Sequence, residues 1–213
     1  MLTYHAVDYL DVGLVMLILY CFPIGVALIS YLKGKTEIFL IQWLSIVVLM
    51  VGLYLMLSAG EKTLNIYGLF ISFMGLLFFI AFIVTASDLS EQIGATTFNL
   101  YLSLFGMVFL TAGFILPLGF EINLPLTNTG SLAIFANGLF YVLSWVLFFQ
   151  GASIIGATRS SMLSCVEPLF AALLAIVLLG QLLSVTEWIG FFIVLTSIYS
   201  FEKNSTNLKP QSK

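Results

Sequence analysis

From Val12 to Phe201 the chain is a succession of apolar runs of about twenty residues, parted by short polar connectors. A helix rises 1.5 Å per residue, so about 20 residues cross a hydrocarbon layer about 30 Å thick. Each run has that length. Only 8% of the 213 residues are charged and 61% are hydrophobic, against about 25% charged in a soluble domain. Most of the surface therefore does not meet water. No segment alternates in the way a membrane β-barrel strand does. The expected fold is an all-α polytopic membrane protein of seven transmembrane helices.

The expected spans are Val12–Leu32, Ile38–Ser58, Tyr67–Ala86, Phe98–Leu118, Gly130–Gln150, Ser160–Leu179 and Val185–Phe201. Lys33-Gly34-Lys35 closes the first. Ser58–Leu64, with Glu61 and Lys62, reads as a loop, and Asp88, Ser90, Glu91, Gln92 and Gly94 as a polar connector. The longest connector, Gly119–Asn128, follows Pro117, Gly180–Ser184 is a tight turn, and Glu202–Lys213 is a polar tail. Lys33, Lys35, Arg159, Lys203, Lys209 and Lys213 then share one side, with Lys62 opposite. Basic residues mark the cytoplasmic side, which puts the C-terminus in the cytoplasm and this chain's N-terminus outside.

Several function classes lack their residues. The net charge of −3 gives no nucleic-acid footprint. Cys21 and Cys165 lie within apolar spans and His5 has no metal-ligand companions, so neither a disulfide framework nor a metal site is expected. No Walker loop is present, so ATP is not the direct energy source. A single histidine supports no Ser–His pair. The chain is expected to be no enzyme and to need no cofactor.

Glu167-Pro168 is the exceptional dipeptide, set inside the apolar run Gly156–Gly180. A carboxylate at the bilayer centre costs about 2.5–3.5 kcal/mol on insertion scales, so such residues face a bundle interior or a watery cavity. The proline removes a helical donor beside it. A shift of 145 residues aligns Pro23 with Pro168, Ala27 with Ala172, Leu28 with Leu173, Trp43 with Trp188 and Tyr54 with Tyr199. Spans one and two thus echo spans six and seven. Five crossings separate the copies, an odd number, so the second copy runs inverted, as in carriers that rock about a midplane site. A five-span repeat predicts ten spans where seven are present, so the chain reads as a truncated form lacking three.

At Gly156–Ser200, beginning GATRSSMLSCVEPLFAALL, the sequence resembles the closing segment of EamA-like proteins of the drug/metabolite transporter superfamily. Ala6–Leu57 resembles, more weakly, the close of the same domain's first copy. The resemblance implies a partial inverted five-helix repeat: residues 1–58 as the last two helices of a first copy, 65–201 as a complete second copy and 202–213 as a cytoplasmic tail. It also implies a central cavity for a small-molecule substrate. Gly180-Gln181 stands where the family has Gly-Glu, and Phe22-Pro23 where the second copy has Glu-Pro.

The substrate-binding candidates follow. Glu167 shares a helical face with Ser160, Ser164 and Ala171, and serves either as a cavity carboxylate or as a structural acid holding the Pro168 break. Asn137, Tyr141 and Trp145 recur at four-residue spacing, a face expected to turn inward to line a cavity or to pack another helix. Tyr20 and Pro23 are the counterparts of the Pro168 region. Arg159 reads as an anchor snorkelling to headgroups, Glu187 beside Trp188 as interfacial, Gly138 and Gly156 as close-packing positions. Asp88 and Glu91 read as part of a solvated loop. The leading expectation is a secondary transporter, an exporter of a small organic metabolite, with the lipid bilayer and its substrate as partners. A homodimer is left open, and the alternatives are a seven-helix receptor or an inactive fragment. The charge bias carries a direct test: a reporter fused after Lys213 should be active on the cytoplasmic side, and activity on the other side would reverse the orientation.

Overall fold

A computed structural model describes residues 2–57, 65–115 and 127–206. The expected loop at Ser58–Leu64 with Lys62, most of the connector after Pro117, and Lys209 and Lys213 lie outside them. The described elements are α1 (Leu2–Ala6), α2 (Val12–Leu19), α3 (Phe22–Leu32), α4 (Leu40–Met56), α5 (Ile66–Ile93), α6 (Ala95–Ile115), α7 (Asn128–Ile155), α8 (Ala157–Ser164), α9 (Glu167–Leu179) and α10 (Val185–Thr206). Val12–Leu32, Ile66–Ile93, Ala95–Gly113, Asn128–Ile155 and Ala157–Leu179 are long and apolar enough to cross a membrane. Leu40–Met56 is a shorter apolar helix, and α10 has 22 residues. Each of the seven expected spans thus has a helical segment.

Helices outrun several expected boundaries. The residues Asp88–Gln92 continue α5 rather than forming a loop, with Ser90 buried and donating to the Ser87 carbonyl at 2.9 Å. The helix stops where Gly94 takes φ +85, a left-handed conformation that costs glycine little. Likewise α7 runs through Gly151, and Gly156 at φ +88 ends it. Gly156 is therefore a joint and not a packing contact, since a Cβ there would meet nothing within 4 Å, and the same open space surrounds Gly138. The first five residues of the expected tail are helical, because α10 continues to Thr206. Polar side chains end a membrane crossing without ending the backbone hydrogen bonds of a helix.

The chain folds as two compact units, Met1–Val84 with Ala157–Lys213, and Thr85–Gly156. In the first, the core joins Ala27 of α3, Ile46, Leu49 and Leu53 of α4, Met162 of α8, Leu169 of α9 and Val194, Ile198 and Phe201 of α10. A second cluster gathers Ala6, Leu10, Val15 and Ile71 around the N-terminal turn. Lipid tails are as apolar as leucine, so close packing and interhelical hydrogen bonds hold such helices together. α4 and α10 make the tightest contact. A Cβ built on Gly190 would lie 2.6 Å from the Gly52 carbonyl oxygen and 2.7 Å from the Met56 nitrogen, and one on Gly52 would lie 2.9 Å from the Val194 nitrogen.

Polar bonds close the same pair at one end. The Gln42 amide, buried, donates to Ser205 Oγ at 2.7 Å while its oxygen accepts from the Phe39 N–H at 2.9 Å. Ser45 Oγ donates to the Ile41 carbonyl at 2.8 Å and meets Ser200 Oγ at 3.3 Å. At the other end Glu187, expected to be simply interfacial, makes a capping box: it accepts from the Ser184 N–H at 2.6 Å, and Ser184 Oγ accepts from the Glu187 N–H at 3.3 Å. Both bonds satisfy N–H groups left open by a helix start.

In the second unit α6 packs on α7, with Phe98 edge-on to the fully buried Phe149 at 5.0 Å between ring centroids. Most other side chains of α6 and α7 are exposed within the unit, among them Tyr101, Phe105, Phe109, Leu132 and Phe140.

The α4–α10 contact predicts a graded loss of stability. Gly190→Ala sets a methyl against backbone atoms that cannot rotate away, and should destabilise by about 1–3 kcal/mol, with Gly190→Val worse. Thermal unfolding in detergent measures it; an unchanged midpoint for both variants would contradict the close approach.

Candidate functional site

Two of the expected spans are broken, and both breaks lie in the first unit. The first span parts into α2 and α3 at Tyr20-Cys21, and the sixth into α8 and α9 at Cys165-Val166. Pro23 and Pro168 each sit in the first turn of the following half-helix, where the missing N–H is an open group in any case. Both prolines are buried.

The boundaries recur at one offset. Val12 and Ala157, Leu19 and Ser164, Phe22 and Glu167, and Leu40 and Val185 each begin or end corresponding helices, 145 residues apart. Backbone bonds at the breaks recur as well. The Cys21 N–H donates to the Ile18 carbonyl and the Ile24 N–H to that of Cys21, both at 3.1 Å; Val166 donates to Leu163 at 3.1 Å and Leu169 to Val166 at 3.0 Å. These three-residue bonds tighten each break, so part of the interrupted ladder is made good inside the chain. An apolar medium demands such repair.

Side chains from the two breaks lie close together. Tyr20, half-buried at the end of α2, lies near the Glu167 carboxylate and Cys165. Cys165 is fully buried, has Glu167 and Cys21 close by, and turns its thiol to the Ser161 carbonyl at 3.7 Å. Cys21 turns its own to the Leu17 carbonyl at 3.4 Å. Glu167 is otherwise exposed at the N-terminus of α9, where the aligned peptide dipoles favour negative charge. Ser164 ends α8 half-buried and donates to the Ser161 carbonyl at 2.8 Å. Of the expected site residues, the first unit thus brings together Tyr20 and Glu167, with Pro23, Ser164 and Pro168 framing the breaks. The arrangement can hold a proton or a polar solute group between a phenol and a carboxylate.

Asn137, Tyr141 and Trp145 belong to the second unit. Within it Asn137 and Tyr141 on α7 are exposed, while Trp145 is half-buried. Trp145 lies 6.2 Å from the Tyr141 ring and stacks at 5.6 Å on Phe149. Among the described residues no group of three or more His, Cys, Asp or Glu side chains could hold a metal ion.

Arg159 is no free anchor. Its Nε donates to Glu202 Oε2 at 3.1 Å and a terminal nitrogen pairs with Glu202 Oε1, a two-point ion pair that is partly buried. The sequence reading set Glu202 in the tail and missed it. Hairpin logic supplies a signal: the start of span six and the end of span seven emerge on the same side, so opposite charges there are neighbours.

Comparison with known proteins adds a family. Residues 66–201 match the EamA-like transporter family. Over 56 residues the chain is 41% identical to a Salmonella typhimurium (strain LT2) protein named uncharacterized inner membrane transporter YicL, a stretch that covers 26% of this chain and 19% of that one. A match over well more than half of the sequence, together with the helical membrane architecture, means that the chain belongs to the EamA-like transporter family.

Proposed function

We propose that the protein is a secondary transporter exporting a small organic metabolite, working by alternating access between two inverted copies of one helical unit. The observation that carries this reading is the pair of helix breaks, 145 residues apart and bonded alike, with Tyr20 of one lying near Glu167 of the other. In this reading residues 1–58 are the last two helices of one copy and 65–201 the other copy. The compact units are cut elsewhere, at Val84 and Gly156, because a repeat records sequence and a compact unit records packing. The register of α4 on α10 favours the inversion: Gly52 abuts Val194 and Ser45 meets Ser200, so the antiparallel contact is centred near Met50 and Leu195, themselves 145 apart.

Glu167 is the binding or proton-carrying acid, Tyr20 its partner, Ser164 an adjacent polar contact, and the paired prolines keep backbone open at that depth. Asn137, Tyr141 and Trp145 offer an amide and two aromatic faces for an organic solute. Six basic residues on one side make that side cytoplasmic. The test is counterflow in proteoliposomes against a panel of labelled amino acids, carboxylic acids and nucleosides. Glu167→Gln should slow the exchanged solute about tenfold or more, the loss of an interaction worth over ~1.4 kcal/mol, with membrane insertion unchanged. Undiminished exchange would leave Glu167 a packing role only, and no exchange of any solute by the parent chain would count against carriage.

A further inference from the structure

Among the described residues, the helix α8 combines enclosed hydroxyls with a charged side chain. It has 8 residues, bounded before Ala157 by the left-handed joint at Gly156 and after Ser164 by the break at Cys165-Val166. It is buried against α3 and α10, yet the hydroxyls of Thr158 and Ser160 are enclosed with no hydrogen-bond partner among the described residues. Enclosed hydroxyls ordinarily have partners, and leaving them without any is costly. This seat of α8 is therefore one its polar groups do not favour, held by the packing of Met162 in the core and by one further contact. Arg159, the one charged residue of α8, supplies it through its two-point pair with Glu202 on α10. Two-point arginine–carboxylate bonds are strong and directional.

The sequence offset sharpens the point. The positions 145 residues before Arg159 and Glu202 are Leu14 and Leu57, which pack as ordinary apolar side chains. The counterpart end of the unit thus has leucines where this end has an ion pair. Two like copies held by unlike contacts favour one of the two exposures at rest.

We propose that α8 is a gate and that the Arg159–Glu202 pair is its latch, closing the side of the protein on which α10 ends. Opening pivots α8 between Gly156 and the Cys165-Val166 break, separates the two charges into water, and hydrates the Thr158 and Ser160 hydroxyls. The resting protein is closed on the latched side, and the solute path at Tyr20 and Glu167 reaches that side only after the pair parts. This inference rests on the transporter reading, but its test needs no substrate.

A Ser160→Cys reporter in the full chain, reconstituted in vesicles, is exposed from the Arg159 side to a membrane-impermeant maleimide. Peptide mass spectrometry follows label at position 160 and, in a second reporter, at Leu49→Cys in the α4–α10 core. Label at 160 should be slow with the latch intact and about tenfold faster with Glu202→Gln, the response of a closed state that loses a tenfold preference. It should be slow again with Arg159→Glu/Glu202→Arg, which restores the pair in reverse. Position 49 should stay unlabelled throughout. No acceleration with Glu202→Gln, or acceleration that the reversed pair fails to undo, would overturn the latch. So would parallel labelling of position 49, since the pair would then be holding the fold and not a gate. Solute counterflow reads the transporter proposal separately, so a failure of the latch and a failure of the transporter reading are told apart.

Discussion

Two helix backbones in direct contact, at Gly52 of α4 and Gly190 of α10, set the geometry of the first unit. In water, burial of apolar surface would draw these helices together, but in lipid that force is absent. What remains is dispersion between closely fitted atoms and the few polar bonds that no lipid can replace. Missing side chains at both glycines let the helix axes approach, and the Gln42–Ser205 and Ser45–Ser200 contacts then fall within reach. The core of Ile46, Leu49, Leu53, Val194 and Ile198 lines the same seam. Widen it by one methyl, and the α10 residues that meet α8, Glu202 among them, would move as well.

That seam leaves the broken helices with a defined neighbour. A break in a membrane helix exposes carbonyls and amides that hydrocarbon cannot solvate. Here tight three-residue bonds and cysteine thiols take up part of the deficit. The remainder stays polar, and a carboxylate placed there lies near a phenol from the opposite break. The same device that weakens each helix therefore leaves a polar spot within an apolar run. Elsewhere in the unit a second set of unsatisfied groups, on α8, coincides with the one charge that α8 carries.

Some of this was legible before any coordinates. The Pro23 and Pro168 register, read as letters alone, coincides with the helix breaks, because proline acts on the backbone of its own turn and needs no distant partner. The Ser184–Glu187 capping box was equally local and went unread, since Glu187 was judged by its tryptophan neighbour instead of by the residue three positions earlier. Asp88–Gln92 and Glu202–Thr206 were read as leaving the helix, although polarity reports the end of the lipid and not the end of the hydrogen-bond ladder. Gly138 and Gly156 were singled out for packing, while Gly52 and Gly190 do it. Nothing in one strand of sequence says which glycine faces a neighbouring backbone.

By itself the sequence determined the medium, the helical segments that run through it and the residues at which two helices give way. Each of these depends on composition within about twenty residues or on one residue's effect on its own turn. The tertiary structure alone decided that Arg159 pairs with Glu202 across 43 residues, that Tyr20 lies near Glu167, and that α4 lies on α10 at glycine distance. Those contacts join residues far apart along the chain, and pairings of that kind are fixed by how helices pack, which local periodicity does not encode.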